Sequence, residues 1–196
     1  ACRRACPTSR ASTRLRRDAE TLMRIVAGRW RGRQINAPRD DRVRPTGDRV
    51  REAWLNIVNP WLADARVLDL FSGTGALGFE ALSRGAAVVD FVELAPKSLE
   101  LLRRNAELLG AGNAAVLHRR DALQFVDGLP ARAYDVAFAD PPYDHGFATT
   151  LAERWLAIPF ADILGIEHRM DEHLPGDGER RKYGQTVITF FRAPQP

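Results

Sequence analysis

The sequence predicts an α/β architecture: a mostly parallel, seven-stranded sheet with helices on both faces and a β-hairpin in front of it. Three observations predict it. From residue 67 onward, short apolar runs of strand length alternate with segments of helical period, the pattern of repeated βα units. Gly73, Gly75 and Gly78 form a G-x-G-x-x-G loop between the first of these strands and the helix after it. Four successive strands each end in an acid, Asp69, Glu93, Asp121 and Asp140, and sites in such sheets lie beyond the carboxyl ends of the strands.

The elements follow in order. Residues 1–22 lack hydrophobic periodicity and are rich in Arg, Ser, Thr and Ala. They read as a disordered basic extension, with Met23 a candidate native start. From Arg24 to Ile35 two short strands flank a tight turn, with Arg29, Arg31 and Arg33 at period two along one face. Residues 36–46 are a Pro- and charge-rich loop. Thr46 is placed to cap a helix over 47–59 whose apolar face is Val50, Trp54, Ile57 and Val58. Strands are then expected at 67–70, 88–92, 114–117, 134–139 and 163–166, with a last one at 187–191 paired to a short strand at 181–183. Helices are expected at 75–84, 96–109, 122–127 and 146–157, the second opening on Pro96. The organisation is a tail (1–22), a hairpin and helix (23–60) and the α/β domain (61–196).

Composition narrows the function. A hydrophobic content of 45% suffices for a core. No run of 18 apolar residues exists to span a membrane. Cys2 and Cys6 are the only cysteines, so metal-ligand spacing is absent and a reducing compartment is expected. Residues 1–51 hold 15 arginines and 5 acids, a net charge of +10, whereas residues 52–196 hold 14 basic and 20 acidic residues, a net of −6. A basic arm on an acidic body suits a phosphate-bearing partner, gripped by Arg29, Arg31, Arg33, Arg44, Arg49 and Arg51.

The chemistry concentrates in Asp140-Pro141-Pro142-Tyr143, directly after an apolar strand. The prolines fix φ and remove donors, leaving a rigid group of acceptors beside an aromatic face. That arrangement suits holding the amino group of a flat base while a ring stacks on it. The same four residues also suit a strand-ending turn. In the glycine loop a ligand can approach the backbone, and the helix N-terminus favours an anion. Glu93, 18 residues beyond Gly75, is placed to accept from both hydroxyls of an adenosine ribose. Asp121 is placed to accept from an adenine amine, or merely to cap the helix that follows it. A nicotinamide enzyme would also use the glycines and Glu93, but has no evident use for the tetrapeptide. His145, near the tetrapeptide, is a candidate acid–base group.

Together, the glycine loop, Glu93, Asp121 and Asp140-Pro141-Pro142-Tyr143 resemble S-adenosylmethionine-dependent methyltransferases that act on exocyclic amines. Arg24-Ile25-Val26-Ala27-Gly28 with Arg31-Gly32, residues 44–52, residues 68–86 and Lys182-Tyr183-Gly184-Gln185-Thr186 narrow the likeness. They are similar to the bacterial 16S rRNA guanine N2-methyltransferases of the small-subunit methyltransferase D family. The resemblance covers residues 23–192; residues 1–22 and the polar stretch 169–181 depart from it.

The resemblance implies a Rossmann-like class I methyltransferase fold and S-adenosyl-L-methionine held by Asp69, Phe71, Gly73, Gly75, Gly78, Glu93, Asp121 and Ala122. It implies catalysis by Asp140, Pro141, Pro142 and Tyr143 without a metal, on 16S rRNA in an assembling 30S subunit, by a cytoplasmic monomer. The rivals are a DNA adenine or cytosine amine methyltransferase, which shares the tetrapeptide, a dinucleotide oxidoreductase, which shares only the glycine loop, and a non-catalytic RNA-binding protein using the basic arm.

Overall fold

The computed structural model describes residues 20–38, 45–143 and 145–194. Most of the expected tail (residues 1–19), most of the loop before the first helix and Arg44 lie outside the described residues.

The hairpin exists, but not where the alternation placed it. Strands β1 (Glu20–Arg24) and β2 (Gln34–Pro38) pair antiparallel, Arg24 opposite Gln34. β1 therefore begins inside the segment expected to be tail. The apolar and glycine residues read as strand instead form the connection, with a 3-10 turn at Gly28–Trp30. Arg29 and Arg31 lie in that connection, so the expected period-two arginine face is not formed.

Packing explains the shift. Ile25 and Trp30 are buried anchors of a loop laid on the helix 76–83. Ser83 Oγ accepts from the Trp30 N–H (2.9 Å) and donates to the Ala27 carbonyl (2.5 Å). Gly28 has φ +78°, and a Cβ there would lie 1.8 Å from the Ser83 carbonyl oxygen. Only glycine permits that approach.

Helix α1 spans Pro45–Val58. It starts on Pro45, so Thr46 lies in its first turn and is not the cap; a proline's fixed φ and missing N–H fit a first helical position. Its buried residues include Val50, Trp54, Leu55 and Val58, while Ile57 is only partly covered. Trp54 meets Phe138 and Phe190 edge-on, at centroid distances of 5.7 and 6.4 Å. A Cβ on Gly165 would fall 2.5 Å from the Trp54 indole nitrogen, so the indole can approach the strand at 161–169 only because residue 165 has no side chain.

The remaining elements are β3 (Arg66–Leu70), α2 (Ala76–Ser83), β4 (Val88–Val92), α3 (Pro96–Leu109), β5 (Ala115–His118), α4 (Ala122–Val126), β6 (Tyr134–Ala139), α5 (Phe147–Ala157), β7 (Ala161–Arg169), β8 (Glu179–Tyr183) and β9 (Thr186–Arg192). They build one seven-stranded sheet of order β5-β4-β3-β6-β7-β9-β8. β3 to β7 run parallel; β9 inserts antiparallel between β7 and β8. β7 and β9 extend beyond the expected spans because they pair with each other from Ile163–Arg192 to Arg169–Thr186.

β3 pairs with β4 on one side and β6 on the other, so the chain reverses its direction of travel across the sheet there. Such a switch point opens a crevice beyond the strand ends. Buried clusters cover both faces. One joins Ile25, Trp30 and Trp54 to Phe79, Phe91 and Phe138, so the hairpin and α1 share a core with the sheet. The other holds Phe125, Leu151, Trp155 and Phe191. Asn105, fully buried in α3, ties the layers together. Its side chain exchanges hydrogen bonds with the Asn36 backbone (2.8 and 2.9 Å) and donates to the Thr74 carbonyl (3.0 Å). The hairpin is thereby fastened to the glycine loop.

Candidate active site

The β3–α2 loop turns sharply at the switch point. Phe71 takes φ +57°, and Gly73 takes φ +54°. A non-glycine residue in the left-handed region costs about 1–2 kcal/mol and is held there only by its surroundings. The three glycines have different duties. Added Cβ atoms on Gly75 and Gly78 would lie 2.4 Å from Leu102 and 2.2 Å from Phe91, so these two let α2 pack closely. Gly73 alone has room around its Cβ position and lines a cavity.

The acids hold this loop from beneath. Glu93 accepts from the Gly73 N–H through Oε2 (2.8 Å) and from the Ala95 N–H through Oε1 (2.7 Å). Asp69 is buried and accepts from the Gly78 N–H at 3.0 Å. Burial drives its carboxyl well above the usual range despite that hydrogen bond, and Asp140 and Glu93 add repulsion. Asp121 caps α4 by accepting from the Gln124 N–H at 2.9 Å, and with Ala122 also lines a cavity.

Two cavities open at the carboxyl edge of the sheet. One, about 840 Å³, runs from Glu93 and Leu94 past Asp121 and Ala122 to Pro141, Pro142 and Phe147. The other, about 770 Å³, lies between Gly73, the α1 residues Arg51 and Trp54, and the β8–β9 turn at Gly184 and Gln185. They share four residues: Phe71, Asp140, Tyr143 and Glu167.

That junction is electrostatically distinctive. The Tyr143 hydroxyl donates to Glu167 Oε1 at 2.8 Å. Asp140 is exposed to both cavities. Desolvation, then the neighbouring Glu167, raises its carboxyl pKa. Glu167 is also raised by burial, against the opposing Tyr143 hydrogen bond. Burial and then Glu167 push the Tyr143 hydroxyl upward, so it stays a donor. A carboxylate pair beside a phenol ring is a set of acceptors with one flat apolar wall. It suits an amine-bearing planar group.

The arginines divide. Arg29, Arg31 and Arg49 are exposed, and Arg29 lies over the Trp30 ring at 4.2 Å. Arg33 instead caps α3, donating to the Leu109 carbonyl at 3.2 Å and to the Leu108 carbonyl. Arg51, only 8% exposed, donates to Met23 Sδ at 3.0 Å and the Arg24 carbonyl at 3.5 Å inside the second cavity wall. It joins β1 to α1, which an open surface cation would not do. His145 is exposed, packs its ring 5.6 Å from Phe147 and lines neither cavity.

Glu167, Leu94 and Trp54 are cavity residues that the sequence reading did not assign. Glu167 was findable, since it directly follows the strand expected at 163–166 and extends the rule of an acid at each strand end. Among the described residues no three His, Cys, Asp or Glu side chains form a metal-holding group. No described helix is long and apolar enough to cross a membrane.

The family described as conserved hypothetical protein 95 matches residues 23–192. The chain is 42% identical over 160 residues to ribosomal RNA small subunit methyltransferase D of Escherichia coli, covering 78% of each. It is 38% identical to the protein of that name from Haemophilus influenzae, covering 91% of this chain and 96% of the relative. Among solved structures, yhhF of Escherichia coli superposes with a TM-score of 0.75 at 30% identity, covering 88% of this chain and 98% of that one. A Thermus thermophilus 16S rRNA N2 G1207 methyltransferase, solved with AdoMet and guanosine, superposes with a TM-score of 0.66 at 19% identity, covering 90% of this chain and 50% of that one; at that identity the likeness is one of fold. With the class I methyltransferase topology, the loop and the acid at each strand end in place, the chain belongs to the ribosomal RNA small subunit methyltransferase D family.

Proposed function

We propose that the protein transfers a methyl group from S-adenosylmethionine to the exocyclic N2 amine of a guanine in 16S rRNA of an assembling small subunit, acting as a cytoplasmic monomer. The observation that carries this reading is the meeting of two cavities at Asp140, Tyr143 and Glu167. A transfer between two bound molecules needs two binding spaces that open into each other where the reacting atoms meet. The Escherichia coli and Haemophilus influenzae relatives are both named ribosomal RNA small subunit methyltransferase D, which supports the RNA substrate.

The residues present fit the cofactor. Gly73 has open space where a side chain would stand, and Glu93, already bonded to two N–H groups, keeps acceptor capacity because a carboxylate offers about four lone-pair sites. Glu93 would accept from the ribose hydroxyls, Leu94 and Ala122 would pack on the adenine, and Asp121 would face its amine. Bound there, S-adenosylmethionine supplies an electrophilic methyl carbon on a sulfonium.

The protein's own work is orientation. Asp140 and the Pro141 carbonyl accept the two N2–H bonds and aim the amine at the methyl carbon; such positioning accounts for much of a rate enhancement. Tyr143 supplies the ring against which a base turned out of its stack rests. As the N–C bond forms and the C–S bond breaks, one N2 proton leaves, to Asp140 or to cavity water. Arg29, Arg31 and Arg49 hold phosphates at the rim.

The test is methylation of 30S particles lacking the native modification, read by nucleoside mass spectrometry. N2-methylguanosine in 16S rRNA is expected. Methylated adenine or cytosine in duplex DNA, with none in rRNA, would overturn the reading in favour of a DNA amine methyltransferase.

A further inference from the structure

Glu167 is the one carboxylate of the cavity junction without a part in that scheme. It follows the β6–β7 register pair Ala139–Ile166 by one residue, which sets it level with Asp140 on the neighbouring strand. Asp140 just past the end of β6 and Glu167 within β7 therefore line the same two cavities side by side. Tyr143 engages Glu167 Oε1, and one hydroxyl does not exhaust a carboxylate's acceptor sites. A carboxylate so poor in protein donors, yet lining both chambers, is built to receive a donor from a ligand.

We propose that Glu167 accepts the N1–H of the target guanine and thereby selects guanine over bases that lack a donor at that position. The inference rests on the reading above, in which Asp140 and Pro141 take the N2 amine. N1–H and N2–H lie side by side on one edge of guanine, and two acceptors from adjacent strands match that edge. Adenine presents an acceptor at N1, which would face a carboxylate without a proton between them. A site whose buried acceptor is left unpaired rejects the analogue far more strongly than a merely apolar pocket does. The Tyr143 hydroxyl fixes the Glu167 rotamer, so stacking and edge recognition share one hydrogen bond.

The experiment compares two reconstituted 30S substrates, one with guanine and one with 2-aminopurine at the target position. 2-Aminopurine keeps the amine and lacks N1–H. The wild-type protein should prefer guanine by roughly ten- to a hundredfold in single-turnover kcat/KM, the range for a hydrogen bond to a charged group. Glu167→Ala should lose most of that preference by slowing on guanine, while its rate on 2-aminopurine changes little. Tyr143→Phe, which frees the carboxylate but keeps the ring, should reduce the preference in part. Cofactor affinity and thermal unfolding, measured on the same variants, report folding. If Glu167→Ala slows both substrates equally, with fold and cofactor binding intact, Glu167 only positions Tyr143 and the proposal fails. If the wild-type protein methylates neither substrate, the assignment of the reaction itself fails.

Discussion

Glu93→Ala tests the cofactor chamber directly. Glu93 does two things in the structure: it holds the glycine loop through the Gly73 N–H and it holds the start of α3 through the Ala95 N–H. Both N–H groups border the cavities, so water replaces the carboxylate when it is removed. The cost to stability should then be about 1 kcal/mol or less, a shift of a few degrees in unfolding temperature for a domain of this size. Cofactor binding should suffer more. Two ribose hydroxyls lose a charged acceptor, and the loop loses the clasp that pre-shapes it. We expect a loss of about 2–4 kcal/mol, roughly thirty- to a thousandfold in Kd. Glu93→Gln keeps one acceptor oxygen but sets an amide donor against an N–H, so it should fall between. Titration calorimetry with S-adenosylmethionine and with its demethylated product reads both values. Affinity for Glu93→Ala within about twofold of the wild type, a difference below 0.5 kcal/mol, would falsify the assignment of Glu93 to the ribose.

Three further outcomes are expected. Asp140→Ala should slow single turnover by about a hundredfold or more while leaving cofactor Kd near normal, since it removes the acceptor that aims the amine; near-normal turnover would make the tetrapeptide a turn and nothing else. The acid limb of the wild-type pH–rate profile should lie above the ordinary carboxylate value of about 4, because Asp140 is raised and must be ionised to accept; it should move to lower pH in Glu167→Gln, which removes the neighbouring negative charge. Changing Arg29, Arg31 and Arg49 together to Gln should weaken RNA binding irrespective of sequence and flatten its log–log salt dependence by roughly 0.7–0.9 for each phosphate no longer neutralised, with cofactor affinity unchanged. Removal of residues 1–19 should matter less; loss of methylation on that deletion, with the triple variant active, would place RNA recognition elsewhere.

The α/β body was legible because its signals are local. Residues 88–92, 96–109 and 134–139 are apolar or amphipathic runs with clear ends, and they form at the expected bounds. The N-terminal hairpin was not, because its alternation of small, apolar and arginine residues is set by packing against residues distant in sequence. Ile25 and Trp30 are buried by α2, and Gly28 is dictated by Ser83, more than 50 residues away. Similarly, nothing local separates Arg29 from Arg33. One lies over a tryptophan ring at the surface, and the other is spent on the carbonyls that end α3. The acids at strand ends were legible as a set, yet the sequence could not say which would meet. The sheet order decides that, by setting β6 beside β7 and so Asp140 beside Glu167.

The same order explains why the basic arm cannot be a separable module. An arm that only gathered RNA could hang from a flexible link. Here Arg51 joins β1 to α1, Trp54 seats α1 on Gly165, and Asn105 joins β2 to Thr74 in the glycine loop. The segment that carries the exposed arginines also forms a wall of the second cavity and is fastened to the glycine loop, which lines the same cavity and reaches the first through Phe71. Phosphates gripped at Arg29 and Arg31, as proposed, would therefore be held at a fixed distance from Asp140. On the proposed function, charge concentrated at one end of the sequence would become, through these fastenings, a means of registering a nucleotide against the junction of the two cavities.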